Sequence, residues 1–327
     1  MFRRLIFLAC TIAFIHTVKA QDYIIYQQVF NRVDEDILDD MPDRALSSLD
    51  SIYCNYEFIF ARHCVKALQL SIIAGDSIRA EKWLGRAFLQ GVPMWMIRAN
   101  RLSAIVFTYD NTEQTVAQYD SLRARYFSGI NKGVANIIDS LLDTDQYLTE
   151  KVNSGFVGSR AVNYLFRWRK NNRKSYVAIN KIINEYGFPG EQLIGLPPDL
   201  QDSGTSYHKY VFYGPLILRD HRAYTMLIHY FSNKRKGFKD NLSQNIKDGY
   251  LSPYQYGALY DFMSEYGKED RYYNVWHTAK DPEKDLAAIN KRRMSVGLNT
   301  YDAQKRNNSL NMEHRKNKAM ENVVLLE

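Results

Sequence analysis

EFIFARHCVKALQLSIIAGDSIRAEKWLGRAFLQGVP, residues 57–93, is the stretch that decides the fold expected for this chain. Its apolar side chains recur every three or four residues in two runs, which places them on one face of an α-helix. Gly75-Asp76 separates the runs, and Gly91 and Pro93 follow the second run as expected at a helix end. The stretch therefore predicts two amphipathic helices joined by a tight turn. The residues predicted to face the core are Cys64, Ala67, Leu68, Ile72, Ala80, Trp83, Leu84, Ala87 and Phe88.

The same spacing extends over residues 41–130, which we interpret as consecutive amphipathic helices with short connections. Pro42 suits a first helical position, and apolar residues follow it at helical intervals: Leu46, Leu49 and Ile52. The C-terminal half, residues 174–306, shows no alternation that would demand a sheet. The predicted fold class is therefore all-α.

The helix pair in residues 57–93 resembles a tetratricopeptide-like repeat. Gly75 lies at the turn, Ala80 and Ala87 occupy small positions seven residues apart, and Pro93 follows. A weaker echo comes 34 residues on, the period of such repeats, and matches Leu68 to Leu102, Ile72 to Val106 and Asp76 to Asp110. The resemblance implies a helical array with a concave face for a peptide or protein partner. The alternatives are a generic helical array and one that only packs against the second half of the chain.

The first twenty residues have the pattern of a cleaved bacterial export signal. Arg3 and Arg4 precede an apolar run from Leu5 to Ile15, which is too short to span a bilayer, and Val18-Lys19-Ala20 is typical of a signal-peptidase site. The expected localisation is periplasmic or secreted. The formal net charge of +7 then falls to about +4 without the three cations of the leader. That charge does not indicate nucleic acid as a partner.

Cys54 and Cys64 are the cysteines that remain after the leader. Ten residues of continuous helix rise about 15 Å, so a disulfide would require a turn between them. Two buried thiols are the alternative that we favour.

A basic connector is predicted at residues 151–173. No acidic residue occurs from Lys151 to Asn184, and aromatic residues alternate with cations there. The candidate anion-binding residues are Arg167, Arg169, Lys170, Arg173 and Lys174. They are suited to an anionic polymer or a phospholipid headgroup surface. The alternative is a solvated helix face balanced by upstream acids, namely Asp139, Asp143 and Asp145.

The C-terminal part, residues 174–306, is predicted to be mainly helical, with a polar tail at 307–327. We expect helices at about 176–186, 215–232, 238–248 and 253–267, and a last one from Asp281-Pro282 to Gly297. The clearest start signal is Ser252-Pro253 with Gln255, a capping box with proline at the first helical position. The predicted domains are thus a signal at 1–20, a repeat-like domain at 21–150, the connector, the C-terminal domain and the tail.

Residues 174–306 resemble a bacterial family known only as domain of unknown function 6624. The motifs that carry the resemblance are Tyr186-Gly187-Phe188-Pro189-Gly190, His229, Gly249 with Ser252-Pro253, Leu259 with Asp261, Gly267-Lys268 with Tyr272, and Arg292-Arg293 with Gly297-Leu298. The chain departs from the family pattern at residues 228–231, 262 and 272–275. The family typically has glutamine where this chain has Ile228, aspartate where it has Phe231, arginine where it has Phe262 and glutamine where it has Val275. If the pattern marks a reactive pocket, these changes indicate that it has been lost here.

The candidate catalytic residues are His229, Asp261 and Tyr272. A histidine oriented by a carboxylate can transfer protons, and the proximity of His229 to Asp261 is implied by the resemblance. His221 lies on the apolar face of its predicted helix and is expected to be a hydrogen-bonded core residue. No metal or cofactor motif occurs in the sequence.

The sequence favours a non-enzymatic binding protein of the cell envelope, with a peptide or protein partner on the N-terminal array. One alternative is a hydrolase-like enzyme that uses His229 and Asp261 without a cofactor. The other is an anion- or glycan-binding envelope protein. The absence of known catalytic motifs favours binding over catalysis.

Overall fold

A computed structural model describes residues 21–154, 159–198, 218, 220–232, 242–267, 273, 275 and 286–316. In the described N-terminal part the α-helices are α1 (Tyr23–Leu38), α2 (Pro42–Asn55), α3 (Ala61–Ile73), α4 (Ser77–Leu89), α5 (Met94–Ala99), α6 (Glu113–Ala117), α7 (Tyr119–Gly129) and α8 (Lys132–Asn153). After these come α9 (Ser159–Tyr186), α10 (Glu191–Ile194), α11 (Arg222–Phe231), α12 (Leu242–Lys247), α13 (Pro253–Gly267), α14 (Leu286–Ser295) and α15 (Tyr301–Lys316). None of these residues forms a β-strand, which confirms the all-α prediction. The proposed leader, residues 1–20, lies outside the described part.

The helix pair predicted from residues 57–93 is α3 and α4, and its apolar face forms part of a first core. Trp83 and Phe88 are fully buried there, together with the small residues Ala80 and Ala87 that let the two helices approach. The turn between the helices is at Gly75, whose φ of +70° is the left-handed conformation that glycine adopts readily. Asp76 caps α4 by accepting a hydrogen bond from the backbone N of Arg79 at 2.9 Å.

Helix α1 precedes the predicted array and completes the first core. It begins at Asp22, whose side chain accepts from the backbone N of Ile24 at 2.8 Å. Tyr26 is fully buried, and its hydroxyl lies 2.8 Å from Nδ1 of His63 on α3. The His63 ring stacks on Phe30 with 3.8 Å between the ring centroids. Aromatic packing therefore fixes α1 against α3.

The stretch that carries the 34-residue echo folds differently from the pair it matches. Residues 103–108 and 110–112 form 3-10 helices after the short α5. Leu102 and Val106 are buried, and so are the residues that they match, Leu68 and Ile72. A repeat array stays a prediction.

A second core lies between α8, α9 and the helices that follow them. It includes Ile138 of α8, Ile179 of α9, Leu227 of α11 and Leu259 of α13. The sequence predicts that the connector ends between residues 173 and 174. Helix α9 is continuous through both residues. Helix α15 likewise runs through residues 306 and 307.

The start of α13 confirms the predicted Ser252 N-cap and the proline at the first helical position. Its first residue is Pro253, and the backbone N of Gln255 donates to Oγ of Ser252 at 3.2 Å. The Ser252 hydroxyl donates in turn to Oε1 of Gln255 at 3.0 Å. Helix α13 ends at Gly267, as its sequence predicts.

The N-terminal helices pack against the C-terminal part of the chain. Nδ2 of Asn31 on α1 donates to the carbonyl oxygen of Gly297 at 2.9 Å. The backbone N of Ala61, at the start of α3, donates to Oε1 of Glu191 at 2.6 Å. These contacts support the alternative in which the array packs on the second half.

Cys54 and Cys64 are free thiols, so the disulfide considered from the sequence is not formed. Cys64 is buried in the first core, and burial raises the pKa of its thiol. Cys54 is exposed, contrary to our expectation of two buried thiols, because it lies in the last turn of α2 on the solvent side. Within the described part of the chain, no helix is both long and apolar enough to cross a bilayer.

Candidate functional site

His229 is held by a carboxylate from a distant part of the sequence. Its Nδ1 lies 2.8 Å from Oδ2 of Asp145, 84 residues earlier on α8. The Asp145 side chain is 1 % exposed and that of His229 is 22 % exposed. A buried carboxylate on one ring nitrogen fixes the orientation of the imidazole, as in the histidine–aspartate pairs of hydrolases.

The surroundings of this pair come from helix α9. The ring centroids of Trp168 and His229 lie 5.7 Å apart. The indole N–H of Trp168 donates to Oγ1 of Thr149 at 3.1 Å. Nδ2 of Asn172 donates to the carbonyl oxygen of His229 at 3.2 Å. Helices α8, α9 and α11 therefore position the imidazole together, and one face of it reaches solvent.

Asp261 on α13 accepts hydrogen bonds from the backbone. Its two carboxylate oxygens accept from the backbone N of Tyr273 at 2.6 Å and of Val275 at 2.5 Å. The Tyr273 carbonyl accepts from the buried Arg293 at 2.7 Å. Burial lowers the pKa of Arg293 to about 10, so it stays charged at neutral pH. Through these hydrogen bonds, Asp261 connects α13 to the backbone at residues 273 and 275.

Two further residues singled out in the sequence are His221 and Tyr272. Tyr272, the third candidate catalytic residue, lies outside the described residues. His221 immediately precedes α11, is half-buried, and its ring lies 5.9 Å from that of Tyr224.

All five candidate anion-binding residues lie on the exposed side of α9. Successive residues of an α-helix are rotated by about 100°, so these cations fall within an arc of about 160°. The opposite side of α9 is buried in the second core through Asn172, Ser175, Ile179, Ile182 and Ile183. We call this exposed side the basic face, defined by Arg167, Arg169, Lys170, Arg173, Lys174 and Lys181.

Upstream acids do not neutralise the basic face. Asp139 forms an ion pair with Arg222 at 2.8 Å, and Asp145 is buried against His229. Asp143 is exposed on α8. Within the described chain, no residue of the basic face forms an ion pair with a carboxylate.

The motif Tyr186-Gly187-Phe188-Pro189-Gly190 forms a tightly packed turn at the end of α9. Gly187 has φ +95°, and a Cβ atom there would lie 2.8 Å from the ring of Tyr250. The backbone N of Phe188 donates to Oδ1 of Asn245 at 2.5 Å. The turn therefore fits the segment between α12 and α13 without space for a side chain at residue 187.

A buried polar cleft adjoins this turn, and no sequence pattern predicts it. It is lined by Phe60, Arg62, Glu191, Asp220, Tyr250, Ser252 and Gln255. Burial raises the pKa of Glu191 to about 8, partly offset by the hydrogen bond from Ala61 and by Arg62. Asp220 accepts from Nε of Arg222 at 2.8 Å, and its Oδ2 has no hydrogen-bond partner in the described structure. Glu191 directly follows the glycine-rich turn, but nothing in its sequence context signals burial.

The described residues contain no group of three or more His, Cys, Asp or Glu side chains arranged to hold a metal ion. No protein-family model, curated protein or solved structure matches this chain. The two candidate functional features of the described structure are therefore the basic face and the His229–Asp145 pair.

Proposed function

We propose that this protein is an exported binding protein that attaches to an anionic component of the cell envelope through the basic face of α9. The observation that carries the proposal is the solvent exposure of all five candidate cations on one side of a single helix. Unpaired cations on a rigid surface create a positive potential that attracts polyanions.

The packing of α9 against the second core favours this function further. Its opposite side is packed in the second core, so the cations are presented on a helix that is folded before the partner arrives. A partner then does not have to offset the cost of ordering the backbone.

The peptide-binding hypothesis for the N-terminal array receives less support. The apolar residues of α3 and α4 that define the array are buried in their own core. At the start of α3, the backbone N of Ala61 already donates a hydrogen bond to the side chain of Glu191. A peptide partner there stays a hypothesis, and the basic face has the more direct structural argument.

Retention on a sulfated polysaccharide resin tests the proposal. The test variant replaces Arg167, Arg169, Lys170, Arg173 and Lys174 with glutamine. The control variant replaces five exposed cations on other helices, and thus has the same net charge: Arg125, Lys132, Lys247, Lys291 and Lys305. We expect the wild type and the control to elute at similar salt concentrations and the test variant at a much lower one, because salt screens exposed charges. Equal elution of the two variants would mean that net charge, and not this face, governs binding.

The second candidate function is hydrolysis with His229 as general base. The observation that favours it is the buried Asp145 carboxylate 2.8 Å from Nδ1, which replaces Asp261 as the proposed orienting group. The test is turnover of chromogenic esters, phosphoesters and glycosides by the wild type, His229→Gln and Asp145→Asn. Any turnover that depends on the pair should fall at least about a hundredfold in both variants. Turnover that is equal in all three proteins would exclude this role.

A further inference from the structure

The basic face of α9 contains exposed apolar side chains among its cations. Val162, Phe166 and Val177 are 53 %, 65 % and 60 % exposed. At about 100° per residue, Val162, Phe166 and Val177 project within about 60° of one another, inside the arc of the cations. From Val162 to Lys181 the face is about 28 Å long.

A water-soluble polyanion does not account for this composition. It would engage the guanidinium and ammonium groups but leave the three apolar side chains in water. A phospholipid surface accounts for both kinds of residue. Its anionic headgroups attract the cations, and the boundary between headgroups and acyl chains accepts apolar side chains. Long cationic side chains can also reach up to the headgroups while their methylene groups lie against apolar surface.

We propose that α9 binds the surface of an anionic phospholipid bilayer, lying parallel to it with Phe166 inserted at the headgroup boundary. This inference rests on the proposed anion-binding function and specifies the partner. The helix does not span the bilayer, because its opposite side belongs to the protein core. The attachment is therefore peripheral and reversible by salt.

Co-sedimentation with vesicles tests the inference, using the full chain without its leader. One vesicle population contains phosphatidylglycerol and phosphatidylcholine in the ratio 1:3, and the other contains phosphatidylcholine alone. We expect binding to the first population only, and release from it in high salt. Each cation near an anionic surface strengthens partition about fivefold, so the five-glutamine variant should lose at least a hundredfold. The scattered five-glutamine control should lose much less.

Phe166→Ala tests the apolar part of the contact. Removing the aromatic ring should weaken vesicle binding about tenfold and leave retention on the polysaccharide resin unchanged. The matched control is Ile78→Ala, because Ile78 is 74 % exposed and lies on α4 outside the basic face. Circular dichroism and thermal unfolding establish that each variant keeps the wild-type fold.

The outcomes separate this inference from the proposed function. Retention on the resin without binding to anionic vesicles would overturn the lipid inference and leave the anion-binding proposal intact. Absence of both would overturn both. Vesicle binding that Phe166→Ala leaves unchanged would overturn insertion at the headgroup boundary.

Discussion

Glu191→Gln should change how the stability of this protein depends on pH. Glu191 is 5 % exposed, and burial raises its pKa to about 8 from the ordinary value of 4.5. The folded state therefore binds the proton more tightly than the unfolded state does. This contribution to stability is complete below the unfolded pKa and is lost as pH rises toward 8.

The magnitude follows from the difference between the two pKa values. Each unit of pKa corresponds to about 1.4 kcal/mol, so the free energy of unfolding should lose about 3 kcal/mol between pH 5 and pH 7.5 through this residue. Glutamine does not titrate, and its carbonyl oxygen can still accept the hydrogen bond from Ala61. The stability of Glu191→Gln relative to the wild type should therefore rise by about 3 kcal/mol over that interval.

Urea unfolding at pH 5, 6, 7 and 7.5 measures this difference. Glu35→Gln is the matched control, because Glu35 is exposed on α1 and its substitution should have little effect at any of these pH values. A difference between Glu191→Gln and the wild type that stays constant within about 0.5 kcal/mol, or that falls with pH, would refute the assignment of a neutral buried acid.

Two further substitutions test packing and buried charge. Gly187→Ala should lower the free energy of unfolding by about 1–3 kcal/mol, because residue 187 has positive φ and a Cβ would lie 2.8 Å from the Tyr250 ring. Gly129→Ala, which has no atom within 4 Å of the added Cβ, serves as its control in urea unfolding, and an equal loss would contradict the steric argument. Lys66→Met should cost about 3–5 kcal/mol, because Lys66 pairs with Asp34 at 2.6 Å with both side chains buried. The double variant with Asp34→Leu should recover part of that loss in thermal unfolding, and no recovery would argue against an uncompensated charge as the cause.

Much of the local structure follows from the sequence. The helix pair around Gly75 and the capped start of α13 at Ser252-Pro253 depend on neighbours within a few residues, so spacing and turn chemistry predict them. The 34-residue match predicted the secondary structure of residues 102–110 less well. The reason is that apolar residues recur at core positions in both α-helices and 3-10 helices. Helix α1 was not predicted.

The candidate site shows the limit of such reasoning. His229 was predicted as a site residue, but its partner Asp145 is 84 residues away, and no local pattern links the two. The resemblance pointed instead to Asp261, which accepts hydrogen bonds from the backbone at 273 and 275. Glu191 was missed for the same reason, since its raised pKa comes from burial between elements distant in sequence.

The sequence by itself determined that the chain is helical, where several helices begin and end, and which residues of α9 are cationic. Those properties depend on backbone preferences and side-chain spacing within a few turns. Only the tertiary structure decided that Asp139 pairs with Arg222 and Asp145 with His229, so that among the described residues neither of these acids forms an ion pair with the basic face. The physical reason is that ion pairing and burial depend on groups brought together by packing, and packing joins positions that are far apart along the chain.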